Sequence, residues 1–111
     1  MNVVYLQGRL SSDPVLRELA SGSRLVSLEV STESDAGNVS VPVAWFDPVA
    51  LPDWVAGDEV AVRGLVRRRF YRGAAGTQSR TEVVALEVCP LGKRRQAQRA
   101  RERTLHALGG A

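Results

Sequence analysis

Apolar and polar residues alternate with a period of two along much of the chain, which is the period of a half-buried β-strand. The cleanest run is residues 24–32, where Val26, Leu28 and Val30 alternate with Ser27, Glu29 and Ser31. Residues 2–10 set Val4, Leu6, Gly8 and Leu10 against Val3, Tyr5, Gln7 and Arg9. Residues 39–49 hold Val39, Val41, Val43, Trp45 and Val49 in one parity and Pro42 and Pro48 in the other. Proline donates no ladder hydrogen bond, so this third strand is predicted to be short, broken or partly at an edge. From Gly57 the chain alternates again. Val60, Val62, Val66, Arg68 and Phe70 share one face, and Arg63, Leu65, Arg67, Arg69 and Tyr71 share the other. A fifth run, 81–89, sets Val84, Leu86 and Val88 against Val83 and Ala85. Between the runs lie a turn at Ser11–Pro14, a short apolar piece from Val15 to Leu19 and a tight turn at Ser21-Gly22. A polar loop at Glu33–Asn38, a connector at Leu51–Gly57 and a loop at Gly73–Gly76 complete the series.

Gly8 and Gly64 interrupt the apolar side of their strands. A glycine inside a strand marks a bulge or a tight bend, as a small closed barrel requires. Five short strands with glycine punctuation, and no sustained helical pattern before residue 93, predict an all-β fold. The best fit is a five-stranded barrel of the oligonucleotide-binding (OB) type, with an open five-stranded sheet as the alternative. Lys93 to Leu108 then reads as a helix rich in Arg, Gln, Ala, Glu and Leu, stopped by Gly109-Gly110. Its apolar content is thin, mainly Ala97, Ala100, Leu105 and Leu108. An isolated helix of this length is marginal, so it is predicted to fray or to be ordered by a partner chain or nucleic acid. The chain divides into a barrel domain, 1–91, and a basic helix or tail, 92–111.

Composition narrows the class. The chain has 111 residues and is 44% hydrophobic, enough for one globular domain with a modest core. No apolar run approaches the roughly 20 residues that span a bilayer, and the N-terminus has no signal-peptide layout. Cys89 is the single cysteine, so no internal disulfide forms, a buried thiol is expected and a reducing cytoplasm is the default. His106 is also single. One His and one Cys far apart make neither a zinc site nor a nucleophile–base pair. With no phosphate loop either, the sequence reads as non-enzymatic, without metal, cofactor or small-molecule substrate.

Charge is lopsided. Residues 1–62 hold three basic and nine acidic side chains, or −6; residues 63–111 hold twelve basic and three acidic, or +9. Fourteen of the fifteen basic residues are arginine, which favours bidentate pairing and stacking. The asymmetry points to a polyanionic partner, nucleic acid first and anionic membrane second. Six arginines and no acid lie between Arg63 and Arg80, around Phe70 and Tyr71. Guanidinium groups pair with phosphates and rings stack on unpaired bases. The same residues also suit a solvated strand edge protected from pairing, with the two rings capping a barrel end.

Three motifs carry a family resemblance. Asn2-Val-x-x-Leu-x-Gly-Arg-Leu-x-x-Asp-Pro-x-Leu-Arg-x-Leu-x-Ser-Gly resembles the opening of the bacterial single-stranded DNA-binding protein (SSB) family. Gly57-Asp-x-Val-x-Val-x-Gly64, with Arg69 and Tyr71 beyond it, resembles its fourth strand, and Gly76 with Arg80-Thr-Glu-Val-Val its last hairpin. The resemblance covers residues 2–89. It implies an OB-fold and sequence-tolerant binding of single-stranded DNA (ssDNA) in replication, recombination or repair. It also implies no catalysis, assembly into dimers or tetramers, and a cytoplasmic, nucleoid-associated location. Tyr71 falls where the family has a base-stacking aromatic, Trp45 where it has a strand-three tryptophan, and Arg67 and Arg69 at basic positions. The parity of Trp45 favours the core instead, and Trp54, near Pro52, suits a plug at the barrel bottom. The sequence also departs from the family. Glu33–Val39 lacks an aromatic, Leu51 stands for a stacking phenylalanine, and the helix between strands three and four shrinks to Leu51–Ala56. A basic helix replaces the acidic, hydrophobic tail tip, as in a short variant of the family.

The candidate ssDNA-binding residues are therefore Tyr71, Phe70, Trp45, Trp54, Arg63, Arg67, Arg68, Arg69, Arg72, Arg80 and Arg9. Lys93, Arg94, Arg95 and Arg99 form a secondary basic set. The alternative functions are an OB-fold assembly protein docking on an acidic partner, or an RNA-binding module. Val3, Tyr5, Leu25 and Leu65 point away from the predicted core, which predicts a symmetric homo-oligomer, a dimer before a tetramer.

Overall fold

The alternating runs form six strands and one helix: β1 (Val4–Leu10), β2 (Val15–Glu18), β3 (Arg24–Ser34), β4 (Gly37–Phe46), β5 (Glu59–Gly73), β6 (Gly76–Pro90) and α1 (Arg94–Gly109). The structure is a computed structural model that describes residues 1–109. β1 pairs with β5, β5 with β6 and β3 with β4, all antiparallel. β4 and β6 make a short parallel ladder at Val43↔Val83 and Ala44↔Val84. β1 also meets β3 at Arg9↔Ser31 and Leu10↔Val30, which closes the ring β1-β5-β6-β4-β3. The fold is thus the closed five-stranded barrel of OB type, not the open sheet. β2 is a sixth strand on the outer edge of β3, formed by the apolar piece after Pro14.

Closure depends on two glycines. At Gly8, where β1 turns from β5 toward β3, a Cβ would lie 2.2 Å from the Ser31 carbonyl oxygen. At Gly64 it would lie 2.1 Å from the Val84 carbonyl oxygen. No side chain fits where backbones approach so closely.

The interior is mainly valine, whose branched side chains suit a pleated surface. Leu10, Val26, Leu28, Val30, Val43, Val60, Val62, Val83, Ala85 and Val88 form the core cluster. The register of β5 on β6 shifts between Arg63↔Glu87 and Gly64↔Ala85, so Leu86 is an extra residue in β6. This corrects the even parity read from the sequence. The inward side passes from Val88 to Ala85 and Val83, while Leu86 is exposed.

Other boundaries also differ. β4 ends at Phe46, three residues early, because Asp47 takes a positive φ of 47° and exchanges hydrogen bonds with the Arg24 backbone. Pro42 lies just outside the two-pair β4–β6 ladder. The polar loop 33–38 is instead a continuous hairpin turning at Asp35-Ala36.

α1 packs on the outer side of β1, β5 and β6. Ala97 and Ala100 are buried against Ala61 and Cys89, with Tyr5 and Leu91 alongside. The Arg103 Nη1 donates to Glu87 at 2.7 Å, and the buried Thr104 hydroxyl donates to the Ala100 carbonyl. The helix therefore has a docking site on its own barrel. Alanine on alanine allows close approach with little apolar bulk, which a count of large hydrophobic residues misses. Leu105 and Leu108 remain exposed. Gly109 is the last helical residue, and the Gly110 part of the predicted stop lies outside the described residues. Among the described residues no helix is long and apolar enough to cross a membrane.

Candidate nucleic-acid interface

β5 and β6 outrun the barrel. The Asn2 side-chain amide bonds both backbone groups of Val66, donating to its carbonyl at 2.7 Å and accepting from its N–H at 2.8 Å. Beyond this point, from Arg67↔Glu82 to Gly73↔Gly76, the two strands pair only with each other. The sequence dictates this arm. Its alternation continues, but valine gives way to arginine and aromatic residues, so nothing remains to bury.

The root of the arm and the outer faces of β2, β3 and β4 enclose a groove of about 510 Å³. Phe46 and Ala44 line it, and Arg17, Arg67, Arg69 and Arg80 bring positive charge into it. The Arg67 guanidinium sits 5.3 Å from the Phe46 ring centroid and donates to Glu82. Arg69 lies 3.7 Å from the same carboxylate and 5.5 Å from the Tyr71 ring centroid. Arg80 donates to Glu29 of β3 at 3.0 Å, tying the arm to the sheet. Glu82 is only 6% exposed, so its charge is held by the two arginines flanking it. The Arg67 Nε is buried without a partner. A guanidinium stacked on a ring offers a flat cationic surface, suited to a phosphate at its edge or a base on its face.

The structure brings together Tyr71, Arg67, Arg69 and Arg80 from the candidate set. Arg68 and Phe70 share the opposite face of the arm: Arg68 donates to the Ser79 hydroxyl at 3.0 Å and lies 5.6 Å from the Phe70 centroid. Phe70 is 66% exposed, and Arg72 is exposed near the tip. Other candidates lie elsewhere. Arg63 pairs with Glu87 at 2.8 Å beside α1. Arg9 pairs with Glu59 at 2.9 Å and lines a separate cleft that shares no residue with the groove. Trp45 and Trp54 stack on each other, centroids 5.8 Å apart and planes 4° from parallel, packed against the barrel core. Lys93, Arg94, Arg95 and Arg99 are exposed at or on α1.

Sequence reasoning missed Phe46, Arg17, Glu29 and Glu82. Phe46 carried a signal: if Trp45 faces inward with the valines, its neighbour faces outward. Arg17 carried none, because its four-residue strand has no buried face. Glu29 and Glu82 are distant from the arginines they meet in sequence or read as ordinary polar strand positions.

Beside α1, burial raises the Glu87 carboxyl, but hydrogen bonds and charge from Arg63 and Arg103 outweigh it and hold it below its ordinary value. Burial pushes the Cys89 thiol up, with the Glu87 charge adding to it. The thiol stays protonated and inert.

No protein-family model matches the chain. It is similar to the protein named Single-stranded DNA-binding protein 1 from Xylella fastidiosa (strain 9a5c), with 29% identity over 108 residues. The match covers 85% of this chain and 79% of that protein, and it supports the resemblance drawn from the motifs at the level of a distant relative.

Proposed function

We propose that this chain is a non-enzymatic, sequence-tolerant ssDNA-binding protein acting in DNA replication, recombination or repair. The observation that carries the reading is the groove with the arm beside it, where Arg67 lies over the Phe46 ring in the groove and Arg69 over the Tyr71 ring next to it. Bases stack on the rings, and phosphates meet the arginine edges. Neither contact depends on base identity, because every base has a π-face. The name of the distant relative supports the same reading.

Binding on the outer face leaves the barrel interior untouched, so no large rearrangement accompanies it. Phe70 and Arg68, on the back of the arm, contact a strand that wraps around it. The stacked Trp45 and Trp54 serve the barrel core and not the bases. The chain is a dimeric, cytoplasmic and nucleoid-associated member of the SSB group, with Val3 part of the contact between copies.

The test is a titration of labelled oligo-dT, oligo-U and duplex DNA of equal length, followed by anisotropy. Intrinsic tryptophan emission is a poor reporter, because both indoles pack away from the groove. Oligo-dT binding tighter than duplex supports the reading. Tighter duplex binding, or no binding of any of the three, refutes it.

A further inference from the structure

The charge of the groove is partly answered from within, by two carboxylates set against Arg17, Arg67, Arg69 and Arg80. Glu82 serves Arg67 and Arg69, and Glu29 serves Arg80. A phosphate meeting Arg67, Arg69 or Arg80 must displace or share a carboxylate, so these three release few counterions. The helix differs. Lys93, Arg94, Arg95, Arg99 and Arg101 are exposed, and none makes an ion pair among the described residues. Only Arg103 of that run is paired, to Glu87. The one acid of the helix, Glu102, accepts a hydrogen bond from Gln98. Arg17, Arg24, Arg68 and Arg72 also lack an ion pair among the described residues, but they are scattered, whereas Arg94, Arg95, Arg99 and Arg101 stand together on α1, which is fixed to the barrel by Ala97 and Ala100.

Strand β5 contributes residues to both places. Along the outer face of β5 run Arg69, Arg67, Leu65 and Arg63, two residues apart. At about 3.3 Å per residue, Arg67 and Arg63 are separated by about 13 Å. Arg63 opens onto a shallow cleft of about 470 Å³ shared with Arg99, Glu102, Arg103 and His106 of α1, in which Arg63 and Arg103 pair with Glu87 and Arg99 makes no ion pair among the described residues.

We propose that α1 is a second nucleic-acid-binding surface, which takes the phosphates of the same single strand that lies in the groove. The strand leaves the groove at Arg67, crosses β5 and continues along Arg63 and Arg99 onto the exposed arginines of the helix. Stacking in the groove then supplies sequence-tolerant grip, while α1 supplies most of the salt-dependent affinity. The inference rests on the ssDNA-binding reading.

The experiment compares the wild-type full chain with a variant carrying Arg94→Gln, Arg95→Gln, Arg99→Gln and Arg101→Gln. All four side chains are exposed, so an unchanged melting temperature is the folding control. Binding is measured against salt with oligo-dT of about 6 nucleotides, enough for one groove, and of about 30, roughly twice the largest site of a single OB-fold. Each lost phosphate contact flattens log K against log[salt] by about 0.7, so losing three flattens it by about 2. The expected result is that flattening with the long oligonucleotide and none with the short one. An unchanged slope with the long oligonucleotide overturns the proposal. So does an equal change with both lengths, which would place the helix on the groove itself. Equal loss for duplex DNA or anionic vesicles also overturns it, marking α1 as a general polyanion surface. If the wild type binds no oligo-dT at all, the ssDNA-binding reading fails first, and the inference falls with it.

Discussion

Replacing Tyr71, which lies beside the groove against Arg69, by alanine separates binding from folding sharply. The ring is 40% exposed, lies beyond the last core valine and touches no residue of the core cluster. Its one aromatic interaction is with Arg69, 5.5 Å from the centroid, which is worth about 0.5–1 kcal/mol at an exposed site. Folding should therefore lose at most about 1 kcal/mol, a fall of about 4 °C or less in Tm for a domain of this size. A base stacked on the ring is worth about 1–3 kcal/mol, so ssDNA affinity should fall about 5- to 150-fold. Trp45→Ala is the counterpart. That ring packs on Trp54 and the core, so its loss should cost about 3 kcal/mol or more of stability, with binding by the folded fraction little changed. Anisotropy of a labelled oligo-dT and thermal unfolding by circular dichroism measure the two effects. The reasoning is refuted if Tyr71→Ala binds like the wild type, or if Trp45→Ala is stable yet binds poorly.

Gly64→Ala should destabilise the barrel by about 1–3 kcal/mol or more, read as a lowered Tm, because the added Cβ meets the Val84 backbone carbonyl. Phe46→Ala should weaken oligo-dT binding about as much as Tyr71→Ala, and wild-type affinity for that variant would remove the ring from the interface. The Glu87 carboxyl is held below its ordinary 4.5 by Arg63 and Arg103, so its contribution to stability is complete above that value and is lost as pH falls through the lower folded-state value. The Tm gap between wild type and Glu87→Gln should accordingly be present near neutrality and vanish on acidification below pH 4.5; a gap that widens on acidification refutes this. Light scattering at tens of micromolar should give twice the chain mass, and a monomer there would remove the contact between copies.

How much of this was legible from sequence depends on the range of the interactions. Period-two alternation depends only on which face of a strand is buried, so it exposed β1, β3, β4 and β5 and the barrel class. Gly8 and Gly64 were recognisable because a glycine on an apolar face has few explanations, although only the closed ring shows which carbonyls they admit. The β5–β6 arm was also legible, since a strand that trades valine for arginine has left the core. What the sequence could not carry was pairing between distant residues. The extra residue Leu86 reverses the inward face of β6, and no local pattern records it, because a bulge is defined by its partner strand. Glu82 and Glu29 read as ordinary polar strand positions until folding sets them against Arg67, Arg69 and Arg80. The charge balance along the chain placed positive charge from residue 63 onward; tertiary pairing decided that Arg67, Arg69 and Arg80 of the groove are paired with carboxylates and that Arg94, Arg95, Arg99 and Arg101 of α1 are not. Docking of α1 rests on Ala61 and Cys89 meeting Ala97 and Ala100. Small residues gain their value from the closeness of an approach, and that is a property of two surfaces together.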